Sequence, residues 1–242
     1  MRKYLNKAGL LGLFIFLFYT ALNMKPFAAA PQGIGTEITK IFLAKTQALN
    51  GVASIVFDFR GYDTFGEAII LFTAVAGTVA VLRGVKDDHS INVSNTLSTI
   101  ARTTVGLMVP FLTVFGCYVI LHGHLSPGGG FQGGVALAAA PVLVFLTEGR
   151  NKVLQVIRKT RLSILESMGS LLFLFLAVTG ILRGGAFFAN RLDKGIPGRL
   201  YSSGTIFWMN LAVGLKVFAG ISIIVLLFIT LSHPAAGKEE DQ

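Results

Sequence analysis

Three ionisable residues fall inside stretches that are otherwise apolar, and their types suggest ion handling. Lys216 lies near the middle of the apolar run from Thr205 to Leu231, about two residues or about 3 Å from its centre by helical rise. A charge at the centre of a bilayer-crossing helix costs roughly 3 kcal/mol or more, so Lys216 must face another helix, a water-filled cavity or a carboxylate. It could lock two helices together, or serve as a link in a proton or sodium pathway whose shifted pKa lets it load and unload. Glu67 sits about one turn inside another apolar run, and Glu166 occupies the same place at the start of a third. Each closes a Thr/Ser-x-x-Glu pattern, Thr64–Glu67 and Ser163–Glu166, which fits a capping box at a helix start. The plainer alternative to an ion site is therefore structural, with Arg161 and lipid headgroups neutralising Glu166.

The segment Asp58-Phe-Arg60-Gly-Tyr62-Asp63 alternates signs just ahead of Glu67. It is either a salt-bridged loop or an ion funnel. His122 and His124 lack neighbouring Cys or carboxylate ligands, and two His alone make a poor metal site. Next to Pro127-Gly-Gly-Gly130 they point instead to a tight turn whose imidazole bonds helix-start N–H groups or passes protons. The glycine run lacks the Lys-Ser/Thr of a phosphate loop. Cys117 is the single cysteine. No Ser/His/Asp set, Cys-x-x-Cys pair or dinucleotide fingerprint is present, so we expect no metal, no cofactor and no catalytic residues.

These side chains require membrane helices to position them. Of 242 residues, 53% are hydrophobic and only 14% charged, and the mean hydropathy is +0.69. A soluble domain carries roughly 25% charged residues, so the chain is read as an all-α integral membrane protein with about six transmembrane helices. That leaves no room for a self-contained soluble enzyme. The net charge of +9 is then a topology label and a headgroup contact rather than a nucleic-acid surface.

The first expected span, Ala8–Met24, has the order of a signal peptide but a long apolar centre, and is taken as a retained helix. Residues 25–63 are amphiphilic, with a surface helix or re-entrant stretch expected over Ile38–Phe59. The second span starts at Thr64 and ends near Arg83. The third covers Thr103–Leu121, where Pro110 and Gly116 invite a kink. The fourth starts in Gly128–Gly134 and continues through Pro141 to Leu146. Gly129 with Gly133, and Gly130 with Gly134, have the four-residue spacing that lets membrane helices touch. The fifth runs from Ser163 to about Arg183, and the sixth from Thr205 to Leu231. Among the 21 Lys and Arg, twelve lie on the side of the N-terminus and eight on the other, which places both termini in the cytoplasm of a cell membrane.

Two stretches resemble known families. His122–Gly134 (HGHLSPGGGFQGG), with its flanking spans and Asn210-Leu-Ala-Val-Gly-Leu-Lys216-Val, resembles the B subunit of multisubunit Mrp-type sodium/proton antiporters. It equally resembles the matching subunit of the Mrp-like module in membrane-bound hydrogenases and related sulfane reductases. Asp58–Arg83 looks like the small hydrogenase-type E subunit, which is similar to the C-terminal end of the large Mrp A subunit. The resemblance divides the chain into an E-like segment, residues 1–98, and a B-like four-helix segment, residues 99–242, which are commonly separate polypeptides.

The resemblance implies a subunit of a large membrane complex that couples sodium and proton movement, in some members to electron transfer in hydrogenase-type redox subunits. Its partners would be other membrane subunits. Glu67, His124 and Lys216 match family motif positions: Glu67 would bind or relay the ion, Lys216 would modulate it and His124 would sit at the outer mouth. Glu166, Asp63 and Arg60 complete the candidate ion pathway, and Gly129, Gly130, Gly133 and Gly134 the candidate packing face. A purely structural assembly subunit is the competing class. A stand-alone carrier would show an internal repeat with broken helices, and none is evident.

Overall fold

The structure, a computed structural model, describes residues 11–12, 14–16, 18–19, 22, 33–82 and 98–231. Residues Met1–Lys40 and Ile41–Gln242 form two compact units. In the first, the described positions between Leu11 and Leu22 are helical and exposed. The rest of the expected span Ala8–Met24 lies outside the described residues.

Helix α1 (Ile34–Thr46) is followed by a break at Gln47, whose φ of 59° takes it out of the helical region. A short turn of helix, α2 (Gly51–Ser54), runs into a wide π turn at Ile55–Phe59. This is the segment expected to lie on the surface or re-enter. Asn50 starts it by accepting from the N–H groups of Val52 and Ala53 at 3.0 and 3.4 Å, as a helix cap does.

Five long helices follow: α3 (Gly61–Leu82), α4 (Thr99–Leu121), α5 (Gly130–Val156), α6 (Lys159–Leu182) and α7 (Thr205–Leu231). All five are long and apolar enough to cross a membrane. The described residues include no strand, so the architecture is an all-α membrane bundle.

The bundle is built around α7, which packs against α3, α4, α5 and α6. Of its most apolar stretch 56% is buried, against 11% for α3 and for α4. Glycine makes the close approaches possible. A Cβ on Gly130 would lie 2.5 Å from the Asn210 carbonyl oxygen, and one on Gly134 would lie 2.8 Å from Val217 Cβ, both on α7. Gly133 faces the other way, where its Cβ would meet Ile120 of α4 at 2.5 Å. α5 is thus wedged between two helices on two glycine faces. On α6, a Cβ at Gly169 would come within 2.7 Å of the Ala212 carbonyl oxygen of α7.

Both expected capping boxes fail. α3 starts at Gly61, three residues before Thr64, and the Thr64 hydroxyl donates to the Val56 carbonyl at 2.5 Å. Thr64 thus lies inside the first turn of α3 with its hydroxyl committed to Val56, and caps nothing. α6 starts at Lys159, so Ser163 and Glu166 lie inside it. Pro110 and Pro141 lie within α4 and α5; the non-helical backbone falls instead at Gly149, with φ 78° and ψ 180°. That conformation suits a residue without a Cβ.

The connection between α6 and α7 folds inward. Phe188 adopts φ 68°, is 2% exposed, and packs against Tyr62, Phe65 and Phe173. Gly61 admits it, since a Cβ there would lie 2.6 Å from the Phe188 ring.

Candidate functional site

Polar groups converge at two levels of the bundle. Nearer the centre, the Lys216 ammonium lies 4.0 Å from Glu166 Oε1, with the two side chains 3% and 9% exposed. It donates to Ser170 Oγ at 3.0 Å and faces the Phe72 ring at 5.3 Å. One carboxylate, one hydroxyl and one aromatic face, from α6 and α3, therefore surround a cation carried by α7. Ser170 sits one helical turn after Glu166, which places both on the face that meets Lys216. Glu166 Oε1 is buried and accepts no hydrogen bond. Its counter-ion is Lys216 and not Arg161, because Glu166 is two turns inside its helix. A groove of about 200 Å³ lined by Phe65, Ile69, Phe72, Ser170 and Leu174 reaches Lys216.

The second level lies where α3, α5 and α7 begin. Glu67 is exposed and lines a cavity of about 210 Å³ together with Thr64, Gln132, Asn210 and Gly128–Gly130. Along α3, Glu67 precedes Phe72 by five residues, or about 7.5 Å of axial rise, so the two levels are neighbours in depth.

Two asparagines that the sequence analysis did not single out shape this level. Asn210 Oδ1 accepts from the Gly130 N–H at 3.0 Å, and its amide donates to the Ile206 carbonyl at 3.2 Å. It is fully buried and fills the role expected of a histidine at the start of α5. Asn50 donates to the carbonyls of Gly123 and Ser126 at 2.8 and 3.0 Å, while its N–H donates to the His124 carbonyl at 3.0 Å. A clue was present: Asn210 belongs to an otherwise apolar span, the same criterion that picked out Lys216.

His124 is fully buried between Phe207, whose ring it meets edge-on at 5.4 Å, and the Arg199 carbonyl, 3.4 Å from Nε2. Its Nδ1 has no hydrogen-bond partner. Burial lowers its pKa below the ordinary value, outweighing the hydrogen bond to Arg199, so the ring is neutral at neutral pH. His122 is apart from it, stacked on Tyr118 at 4.2 Å.

The Asp58–Asp63 segment divides. Arg60 and Asp63 form an exposed ion pair at 2.6 Å where α3 begins. Asp58 turns inward and accepts from the Asn190 N–H at 3.2 Å. Asn190 in turn accepts from Thr205 N–H at 3.0 Å and donates to the Ser203 carbonyl at 2.9 Å, fixing the start of α7.

The described residues define an all-helical integral membrane protein with a buried charge pair in its bundle. Residues 100–223 match the family described as a domain related to the MnhB subunit of the Na+/H+ antiporter, and the chain belongs to that family. It is 30% identical over 223 residues to an uncharacterised protein of Methanocaldococcus jannaschii, covering 83% of this chain and 85% of that one. The Staphylococcus aureus chain named antiporter subunit mnhB2 is 31% identical over 136 residues, covering 55% of this chain and 93% of its own length.

Among solved structures, a chain of the membrane-bound sulfane sulfur reductase, an archaeal respiratory membrane complex, is similar with a TM-score of 0.72 and 28% identity. That match covers 95% of this chain and 99% of the other. The Mrp complex from Dietzia sp. DQ12-45-1b contains the same fold, with a TM-score of 0.69 and 20% identity, over 98% of this chain and 26% of that one. The resemblance carried by His122–Gly134 and its flanking spans therefore holds.

Proposed function

We propose that the chain is a membrane subunit of a multisubunit sodium/proton antiporter, or of the corresponding ion-translocating module of a membrane-bound respiratory complex, and that it lines part of the cation path. In this reading it is not catalytic by itself. Residues 1–98 act as the E-like part and 99–242 as the B-like part, the chain lies in the cytoplasmic membrane with both termini in the cytoplasm, and its neighbours are other membrane subunits. In a respiratory complex these include hydrogenase-type redox subunits.

One observation carries the reading: Lys216 and Glu166 are both buried at mid-bundle, 4.0 Å apart, with Glu67 on a cavity that Thr64, Gln132 and Asn210 also line. A bilayer-spanning bundle retains such groups at considerable cost. Glu67 would bind or relay the cation from its exposed position, and Lys216 with Glu166 would set the field it meets. Arg60 and Asp63 stand at the entrance to Glu67, and His124 acts from a buried position behind it.

The test is Glu67→Gln in vesicles containing the assembled complex. We expect sodium-dependent proton transport to be lost while the subunits still co-purify; normal transport would overturn the reading. The apolar faces of α3 and α4, only 11% buried within the chain, favour a second reading, in which the chain only braces its neighbours. Glu67→Gln separates the two, since a pure brace keeps both assembly and transport with that substitution, whereas a cation path keeps assembly and loses transport.

A further inference from the structure

Between α4, α5 and α7, a cavity of about 180 Å³ is lined by Val109 and Thr113 of α4, Pro141 and Val144 of α5, Phe218 of α7, and Ile157 just past the end of α5. Its walls offer no free polar group: the Thr113 hydroxyl donates to the Val109 carbonyl of its own helix at 2.8 Å. The break at Gly149 redirects the chain, and Val153 beyond it is buried against Leu162, Ala219 and Ile223. That packing brings Val153 and Ile157 into the wall.

Basic residues lie close in sequence to this cavity's walls. Lys152 adjoins Val153 and Arg158 adjoins Ile157, while Lys159 and Arg161 occupy the first turn of α6; all four are exposed. Arg102, also exposed, precedes Val109 by seven residues, or about 10 Å along α4. Among the described residues none of the five has an ion-pair partner, and Glu148 is an exposed acid at the same end. A topology signal needs only positive charge somewhere in the loop. Here exposed charges stand next in the chain to Val153 and Ile157, two residues that wall an apolar groove, and basic residues beside grooves between membrane helices hold lipid headgroups.

We propose that this groove binds one acyl chain of an anionic phospholipid, whose headgroup sits among Arg102, Lys152, Arg158 and Lys159. The walls suit an acyl chain: every lining residue except Thr113 is apolar, and the Thr113 hydroxyl is already bonded within its own helix.

The test uses the full chain purified in a neutral detergent, stripped of lipid and supplied with palmitoyl-oleoyl phosphatidylglycerol or phosphatidylcholine, with bound lipid counted by native mass spectrometry. We expect at least tenfold stronger retention of phosphatidylglycerol. Lys152→Gln/Arg158→Gln/Lys159→Gln should reduce it to the phosphatidylcholine level, and Thr113→Trp, which fills the groove from an exposed position, should reduce retention with all charges in place. Glycerol 3-phosphate should compete poorly, because it lacks the chain. Circular dichroism of each variant confirms that the helices remain. Equal retention of the two lipids, no effect of Thr113→Trp in a folded chain, full competition by glycerol 3-phosphate, or self-association through this face in place of lipid binding would each overturn the proposal.

Discussion

Lys216 faces two oxygens and bonds only one: its ammonium donates to Ser170 Oγ at 3.0 Å and stops 4.0 Å from Glu166 Oε1. The carboxylate balances the charge while the hydroxyl satisfies the hydrogen bond. The pair therefore holds together by charge, and its loss should be asymmetric. Lys216→Met leaves a buried carboxylate without a counter-ion, and breaking such a pair costs about 3–5 kcal/mol. The double variant Lys216→Met/Glu166→Gln should recover most of that. Thermal unfolding of the purified chain in detergent checks both, and equal losses in single and double variants would show that the two do not interact.

Glycine substitutions should divide by where a side chain would land. Gly134→Leu drives a side chain into Val217, whereas a Cβ at Gly77 of α3 has nothing within 4 Å. We expect Gly134→Leu to abolish the folded monomer peak in size-exclusion chromatography. Gly77→Leu should shift stability by no more than about 0.5 kcal/mol. Similar behaviour of both would mean that the α5–α7 contact is not close-packed.

Asn210→Leu removes the acceptor of the Gly130 N–H. A buried donor left unsatisfied costs about 1–3 kcal/mol, which for a chain of this size lowers Tm by about 2–4 °C per kcal/mol. Hydrogen exchange at Gly130 should quicken as well, and an unchanged rate there would remove Asn210 from this role.

Acidification should loosen the α4–α5 turn. His124 has a lowered pKa because it is buried, so the unfolded chain takes up its proton at a higher pH than the folded one does. The stabilising contribution is complete above the ordinary His value of about 6.5 and is lost as the pH falls from there toward the folded value. The Tm should therefore drop between pH 7.5 and 5.5, and His124→Phe should flatten that slope. Parallel slopes in the two proteins would assign the pH dependence elsewhere.

Hydropathy and burial cost made much of the bundle legible before its structure was known. The last span was placed at Thr205–Leu231, where α7 is found, and Lys216 stood out because nothing nearby in sequence could neutralise it. Its partner was harder to see, since Glu166 also fitted a local pattern with Ser163. A capping box describes four consecutive residues, whereas this carboxylate is held by a residue fifty positions away on another helix. Thr64 misled for the same reason: its hydroxyl is committed to the Val56 carbonyl, within a π turn that no hydropathy pattern announces. The roles of Asn50 and Asn210 are not legible in the sequence, because both act on backbone groups far along the chain, and a backbone N–H or carbonyl has no letter of its own.

The placement of α7 at the centre also bears on how the protein is made. It is the last of the five spans in chain order, yet α3, α5 and α6 all pack on it. Synthesis proceeds from the N-terminus at about 5–20 residues per second, so the earlier spans enter the bilayer seconds before the helix that joins them. α4 and α5 can pair at once through Gly116 and Gly133. The remaining helices must wait as separate inserted rods, and the carboxylate of Glu166 waits with them until Lys216 arrives. Closure of this bundle is thus a late event, timed by the emergence of one helix.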